Sequence, residues 1–186
     1  MFNGENVLLR RLEESDLEHR VRWVNDPEVN RTLMFDWPLS LSETREWFRG
    51  TLFDRGRWDF TIVERATGRP VGMTGLINLD RRHGHAQFYV TIGEKPAWNR
   101  GYAGETVRLV LDFAFVELGL NKVYLYTLDD NDRARALYER SGFRPEAVMR
   151  SHFFIHGRHC DLHQHALLRD EHLAAAAAPA AGTVNA

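Results

Sequence analysis

The chain holds one cysteine, Cys160, in 186 residues, which excludes an internal disulfide and any zinc site built on a cysteine pair. No stretch approaches the roughly 18 uncharged apolar residues that a membrane span requires. The opening run MFNGENVLLRRLEESD lacks the basic-then-apolar pattern of a secretory signal, so a reducing, cytoplasmic setting is expected, with no membrane partner. An excess of charge is missing as well: 24 Lys and Arg stand against 26 Asp and Glu, a net charge of −2. Proteins that coat nucleic acid need a cationic field to work against phosphate, so no nucleic-acid partner is expected either. With no internal repeat and no long linker, the 44% hydrophobic content suits one well-cored domain. What is abundant is histidine: nine in all, five of which (His152, His156, His159, His163 and His165) fall within fourteen residues.

Periodicity divides the chain. VLLRRL (7–12) predicts a strand, and Ser15 offers an N-cap to a helix whose apolar face carries Leu17, Val21 and Val24. Asp26-Pro27 must stop that helix, because proline disfavours the helical region for the residue before it. An irregular stretch with Phe35, Trp37 and Pro38 follows, and Ser40 to Glu43 is a capping-box pattern opening a second helix to about Leu52. Three β-rich runs, 58–64, 70–79 and 85–93, predict an antiparallel meander. Ala103, Val107, Val110, Leu111, Ala114 and Leu118 then mark a helix ended by Gly119. A buried strand (122–128), a helix capped by Asn131 or Asp130 and closed by Gly142, and a hairpin turning near His156-Gly157 complete the domain, residues 1–169. Residues 170–186 read as an Ala-rich, disordered tail with a frayed helix over its first half. The order βαα, βββ, αβαββ predicts an α+β (mixed α/β) class with helices on both faces of one sheet.

The chemistry concentrates in GEKPAWNRGYAGET (93–106), a glycine-bearing turn that leaves a strand and enters a helix. Gly101 and Gly104 permit close backbone approach, the first helical N–H groups point outward, and the helix dipole favours an anion such as a pyrophosphate. Arg100 adds a positive charge. The turn lacks the GK[ST]-type ending of a phosphate-binding P-loop and the third glycine of a dinucleotide fingerprint.

A second block, NDRARALYERSGF (131–143), combines with the first to carry a resemblance. WNRGYA (98–103) is similar to the acetyl-CoA motif Q/R-x-x-G-x-G/A of the GNAT superfamily of N-acetyltransferases, with Trp98 standing where Gln or Arg is usual. The block N-x-x-A-x-x-L-Y-x-x-x-G-F is matched at Asn131, Ala134, Leu137, Tyr138, Gly142 and Phe143. The N-terminal RWVNDPEV and the later HFFIHGR look most like three related branches, which acetylate spermidine, amino-sugar nucleotides and ribosomal-protein N-termini.

The resemblance implies a GNAT fold with a mostly antiparallel sheet of about seven strands. It implies direct acetyl transfer from acetyl-CoA to a primary amine. Tyr138 would be the acid that protonates the departing thiolate, since a phenol stays protonated at neutral pH. Asn131 and backbone groups of Val90, Thr91 and Ile92 would hold the pantetheine arm, and the N–H groups from Arg100 through Gly101, Tyr102, Ala103 and Gly104 to Glu105 the pyrophosphate. Asn131 reads equally as an N-cap.

The general base departs from the commoner pattern, because Gln87 stands where relatives often carry Glu, and an amide accepts no proton. Either water oriented by Gln87 and Tyr89 or His85 on the same strand face would take the proton, and we favour the water. Phe35 and Trp37 would wall the acceptor pocket beside Gln87, Tyr89 and His152. Asp26, Glu28 or Asp36 could attract a cationic amine, or serve as helix-end and loop acids. His159, His163 and His165 share parity with Asp161, but same-face residues on one strand fan outward about 6 to 7 Å apart, so no metal is expected. The acceptor expected is a small molecule: a polyamine, an amino sugar or an amine-bearing antibiotic. Acetylation of a protein N-terminus and a silent acyl-CoA sensor stand as alternatives, and a homodimer is possible.

Overall fold

The computed structural model describes residues 1–35 and 37–177. Eight strands make one sheet: β1 (Phe2–Asn3), β2 (Val7–Arg11), β3 (Trp58–Glu64), β4 (Arg69–Asp80), β5 (His85–Ile92), β6 (Lys122–Leu128), β7 (Arg144–Ile155) and β8 (Arg158–Leu168). Their spatial order is β1-β2-β3-β4-β5-β6-β8-β7, with β8 inserted between β6 and β7. The eighth strand beyond the expected seven is β1, two residues long and too short to show a period. The last hairpin turns at His156 and Gly157, both at positive φ, yet β7 begins at Arg144, well before the expected start. Its outer-edge position leaves most of β7 exposed, so the alternation that marks a half-buried strand is absent.

Helices α1 (Leu17–Asn25), α2 (Pro27–Asn30) and α3 (Leu41–Thr51) pack on one face of the sheet through Leu17, Trp23, Val29, Phe48 and Met73. Helices α4 (Tyr102–Asp112) and α5 (Asp132–Arg140) pack on the other, where Phe60, Ile62, Phe88, Val107, Val110, Tyr138 and Phe143 form the larger core. Helix α4 closes in a π-turn over Phe113–Glu117, and Gly119 follows at φ 64°. Helix α6 (Arg169–Ala177) occupies the first part of the segment read as a tail, and His172 meets Asp112 at 2.9 Å. The remainder, 178–186, lies outside the described residues.

The start of α1 differs from the expectation at Ser15. Glu13 caps a 3-10 turn, Glu14–Asp16, in a reciprocal box with Asp16, and α1 continues from it. Asp16 is 2% exposed and accepts from Arg10 Nη1 at 2.6 Å, Arg10 Nη2 at 2.7 Å and Thr61 Oγ1 at 2.7 Å. Burial alone would raise its carboxyl pKa, but the bonds from Arg10 and Thr61 outweigh that and hold it below the ordinary aspartate value. This pair pins the α1 entry to β2 and β3.

A group held below its unfolded pKa contributes stability above that value and loses it as pH falls. Asp16→Asn should therefore cost about 2 to 4 kcal/mol in urea unfolding at neutral pH, by stranding Arg10. The gap to wild type should shrink as pH drops below the ordinary aspartate range; a gap independent of pH would contradict the assignment.

Candidate functional site

Strands β5 and β6 form the one parallel pair among the described strands, and they pair only over His85↔Lys122, Ala86↔Val123 and Gln87↔Tyr124. Beyond Gln87, β5 stays with β4 as far as Ile92 and β6 stays with β8 as far as Leu128, so the sheet splits into a wedge. Main-chain groups that would continue the ladder face the opening, available to a ligand. Two cavities meet there, about 600 Å³ on the α4–α5 face and about 510 Å³ on the α1–α3 face. Val90, Thr91, Asn131, Ala134 and Tyr138 line both, so a molecule lying in the first can present its end to the second.

The α4 cleft is built on a helix start. Gly101 caps α4 at φ 79°, in the left-handed region that glycine occupies without strain. The first intrahelical bond runs from Glu105 N–H to Gly101 O at 3.1 Å, which leaves the amides of Tyr102, Ala103 and Gly104 without intrahelical acceptors. Ile92, Gly101, Ala103 and Gly104 line the cleft.

The side chains of three residues in this turn are engaged elsewhere. The Arg100 guanidinium pairs with Glu64 at 3.1 Å and the Tyr102 hydroxyl donates to Glu64 at 2.6 Å. Glu105 accepts from the Asn6 amide at 2.9 Å, which ties α4 to β2, and its own N–H is spent inside the helix. The positive charges of the cleft are instead Arg31, Arg133 and Arg140, none of them singled out by the motifs. Arg133 lies 5.6 Å from the Trp98 ring, whose Nε1 donates to Ile92 O at 2.8 Å, so Trp98 acts as a wall beside the turn. A cluster of arginines at a helix start could have been suspected from the basic spacing of DRARALYER, but Arg31 is distant in sequence.

Two further contacts hold the turn against α1. Trp23 packs directly on Gly93, where a Cβ would stand 2.1 Å from Trp23 Cγ. Glu94, next in the chain, accepts from Trp23 Nε1 at 2.8 Å and from Arg22.

At the junction, Tyr138 is 6% exposed and its ring packs against Phe88 and Phe143 at centroid distances of 6.2 and 5.7 Å. Its hydroxyl has no hydrogen-bond partner among the described residues, and burial pushes the phenol pKa far above its ordinary value. Tyr138 is therefore a protonated donor with its hydrogen uncommitted. Asn131 does two things at once: its Oδ1 accepts from Ala134 N–H at 3.2 Å as the N-cap of α5, and the residue lines both cavities.

In the α1–α3 cavity, Gln87, Tyr89, Phe35 and His152 all line the wall, as expected for the acceptor side. Gln87 Oε1 accepts from Asn78 Nδ2 at 2.9 Å. The Tyr89 hydroxyl, however, donates to Asp59 at 2.6 Å, and burial together with the Asp59 charge drives its pKa well up, so it is not free to orient water. Asp59 in turn is held by Arg57, Nε at 2.6 Å and Nη2 at 2.9 Å.

Other expectations fail here for reasons of folding. Trp37 does not face this cavity; it sits 6.1 Å from His156, in a smaller pocket with Arg31, Leu128 and Cys160. His85 shares the Gln87 face but stands at the far end of β5, outside the lining, stacked with His83 and edge-on to Tyr124. Asp26 and Glu28 pair with Lys95 at 2.8 and 3.3 Å and neither lines this cavity, and Asp36 lies outside the described residues.

The histidines disperse into unlike settings. His152 lines the cavity, His156 meets Trp37, His159 meets Phe154, and His165 is 2% exposed with its imidazole pKa lowered by burial and by His163.

The family model described as an acetyltransferase (GNAT) domain matches residues 6–144. A spermidine N(1)-acetyltransferase of Vibrio cholerae is 31% identical over 174 residues, 91% of this chain and 97% of that protein. A putative ribosomal N-acetyltransferase, YdaF of Bacillus subtilis, is 29% identical over 90% of this chain and 94% of its own. The crystal structure of a Vibrio cholerae spermidine N-acetyltransferase in complex with CoA and spermine superposes with a TM-score of 0.85 at 27% identity, covering 91% of this chain and 99% of that one.

Proposed function

The chain belongs to the GNAT acetyltransferases, and from that premise we propose that it is a cytoplasmic enzyme moving the acetyl group of acetyl-CoA directly to the primary amine of a small molecule. One observation carries this reading: the two cavities meet at Tyr138, one with the free amides of a helix start and the other walled by side chains. The cleft suits CoA chemically, because unpartnered helix amides, Gly101 and three arginines favour a pyrophosphate. The acetyl thioester supplies an electrophilic carbonyl and a thiolate leaving group. Relatives named spermidine N-acetyltransferases support a small amine as acceptor, polyamines among the candidates.

In this reading the main chain of Val90, Thr91 and Ile92 at the open wedge holds the pantetheine arm, with Asn131 opposite. The buried Tyr138 hydroxyl donates its proton to the departing sulfur, which its raised pKa keeps available at all physiological pH. An ammonium cannot attack, so one proton must leave the amine first. Gln87 orients the amine or its water without taking that proton. His152, the one imidazole in the cavity wall among the described residues, receives it through water. The buried Cys160 lies in the separate pocket beside Trp37, away from this junction, which supports direct transfer over an acyl-enzyme.

A CoA-thiol release assay over polyamines, amino sugars, amino acids and N-terminal peptides tests the reading. Release with small amines is expected; release with peptides alone would shift the function to protein N-termini, and tight CoA binding with no release on any amine would make it a sensor. Tyr138→Phe should lower kcat about 100-fold or more with little change in the KM for acetyl-CoA; full turnover would remove its acid role. His152→Gln should lower kcat about tenfold and alter the pH profile of kcat; a profile superposable on wild type between about pH 6 and 9 would leave water alone as the proton acceptor.

A further inference from the structure

Arg20, on α1, is 7% exposed, and its guanidinium is held between two aromatic rings, 4.4 Å from Trp47 and 5.1 Å from Phe35. Among the described residues it has no hydrogen bond and no ion-pair partner, and it lines the acceptor cavity. A buried guanidinium carries five donors and is costly to leave unanswered. Burial accordingly holds its pKa below the ordinary value, although Asp59 and Tyr89 act in the opposite sense. Asp59 does not serve as its partner, since that carboxylate is taken by both nitrogens of Arg57 and by the Tyr89 hydroxyl.

The charge of the cavity follows from these bonds. Its wall, among the described residues, contains Arg20 and Arg57 and neither Asp nor Glu. Arg57 is neutralised by Asp59 beneath the wall, which among the described residues leaves one guanidinium uncompensated. The rest of the wall is mainly apolar, with Met34, Met73, Phe88, Met149 and Phe153, and carries neutral polar groups such as Gln87 and Thr127. A polycation entering this space would meet a like charge and, among the described residues, no carboxylate, whereas a single anionic group would satisfy Arg20 with paired hydrogen bonds.

We propose that Arg20 is the anchor for a carboxylate on the acceptor, so that the substrate is an amino acid or similar amine bearing one carboxylate and an apolar body. This deepens the reading of the cavity as the acceptor site and rests on it. One uncompensated charge favours a monoanion over a phosphate ester, which would bring a second charge with no partner. Trp47 and Phe35 lie against the guanidinium, which leaves its N–H groups free to read a planar carboxylate.

The test is CoA-thiol release with matched acceptors: hydrophobic amino acids, their carboxamides, the corresponding amines without the carboxylate, an amine bearing a phosphate ester, and spermidine. The amino acids should exceed their carboxamides in kcat/KM by about 30-fold or more, and Arg20→Gln should abolish most of that ratio by raising the acceptor KM. Arg20→Lys should restore part of it, and an unchanged KM for acetyl-CoA in both variants certifies their fold. Spermidine or the phosphate ester as the preferred acceptor, or a carboxylate-to-carboxamide ratio that Arg20→Gln leaves intact, would overturn the anchor while leaving acetyl transfer standing. No release with any amine would instead sink the transferase reading on which the proposal rests.

Discussion

Everything in this molecule's chemistry depends on the parting of two parallel strands. Once β5 and β6 separate after Gln87 and Tyr124, the sheet can no longer satisfy its own main chain on that side. A sheet interior with open backbone groups is costly unless something else supplies the partners. The wedge therefore serves as a ready-made polar slot through an otherwise apolar layer, and it is the passage between the two faces. On one face α4 begins at Gly101 with free amides; on the other lies a cavity walled by α1, the following loop and the last hairpin. Tyr138 stands at the crossing because α5 packs through Leu137 near Gly104, 3.6 Å from where a Cβ would be.

Buried polar bonds hold the two sides of the passage in register. Asp16 links α1 to Arg10 and Thr61, so the helix that carries Arg20 and Trp23 is anchored to the sheet by charge as well as by packing. Trp23 then lies on Gly93 and bonds Glu94, at the entry to the phosphate turn. Asp59, Arg57 and Tyr89 form a second closed set, in which Arg57 and Tyr89 line the cavity and Asp59 behind them uses up their polar groups. Rigid sets of this kind position a site better than loops can, because each member's geometry is over-determined. They also decide which charges of the cavity wall are spent, and among the described residues Arg20 is left without a partner.

Legibility in the sequence followed the range of the interaction. The capping box at Ser40 and Glu43, the helix stop at Asp26-Pro27 and the turn at His156-Gly157 are local, and each lies where the sequence places it. Tyr138 and Asn131 were legible through a motif of fixed spacing on one helix. In the other motif Gly101, Ala103 and Gly104 line the cleft, while the side chains of Arg100, Tyr102 and Glu105 meet Glu64 and Asn6, partners distant in the chain. Trp37 was grouped with Phe35 by proximity in the chain, but the two residues face different cavities. Arg31 and Arg20 carried no signal, since a lone arginine on a helix reads as a solvated charge.

The sequence alone determined the class of fold, the order of its elements, and the presence of a glycine-capped helix start followed by a tyrosine-bearing helix. Those follow from spacing, capping and glycine conformation, all of which act within a few residues. Only the tertiary structure decided which charges are spent and which are free. Asp26 and Glu28 are bound by Lys95, Asp59 is bound by Arg57 and Tyr89, and Arg20 is buried between Phe35 and Trp47 without a partner among the described residues. The physical reason is that a side chain's electrostatic role depends on what the fold brings within about 4 Å of it, and most of those partners are distant in the chain.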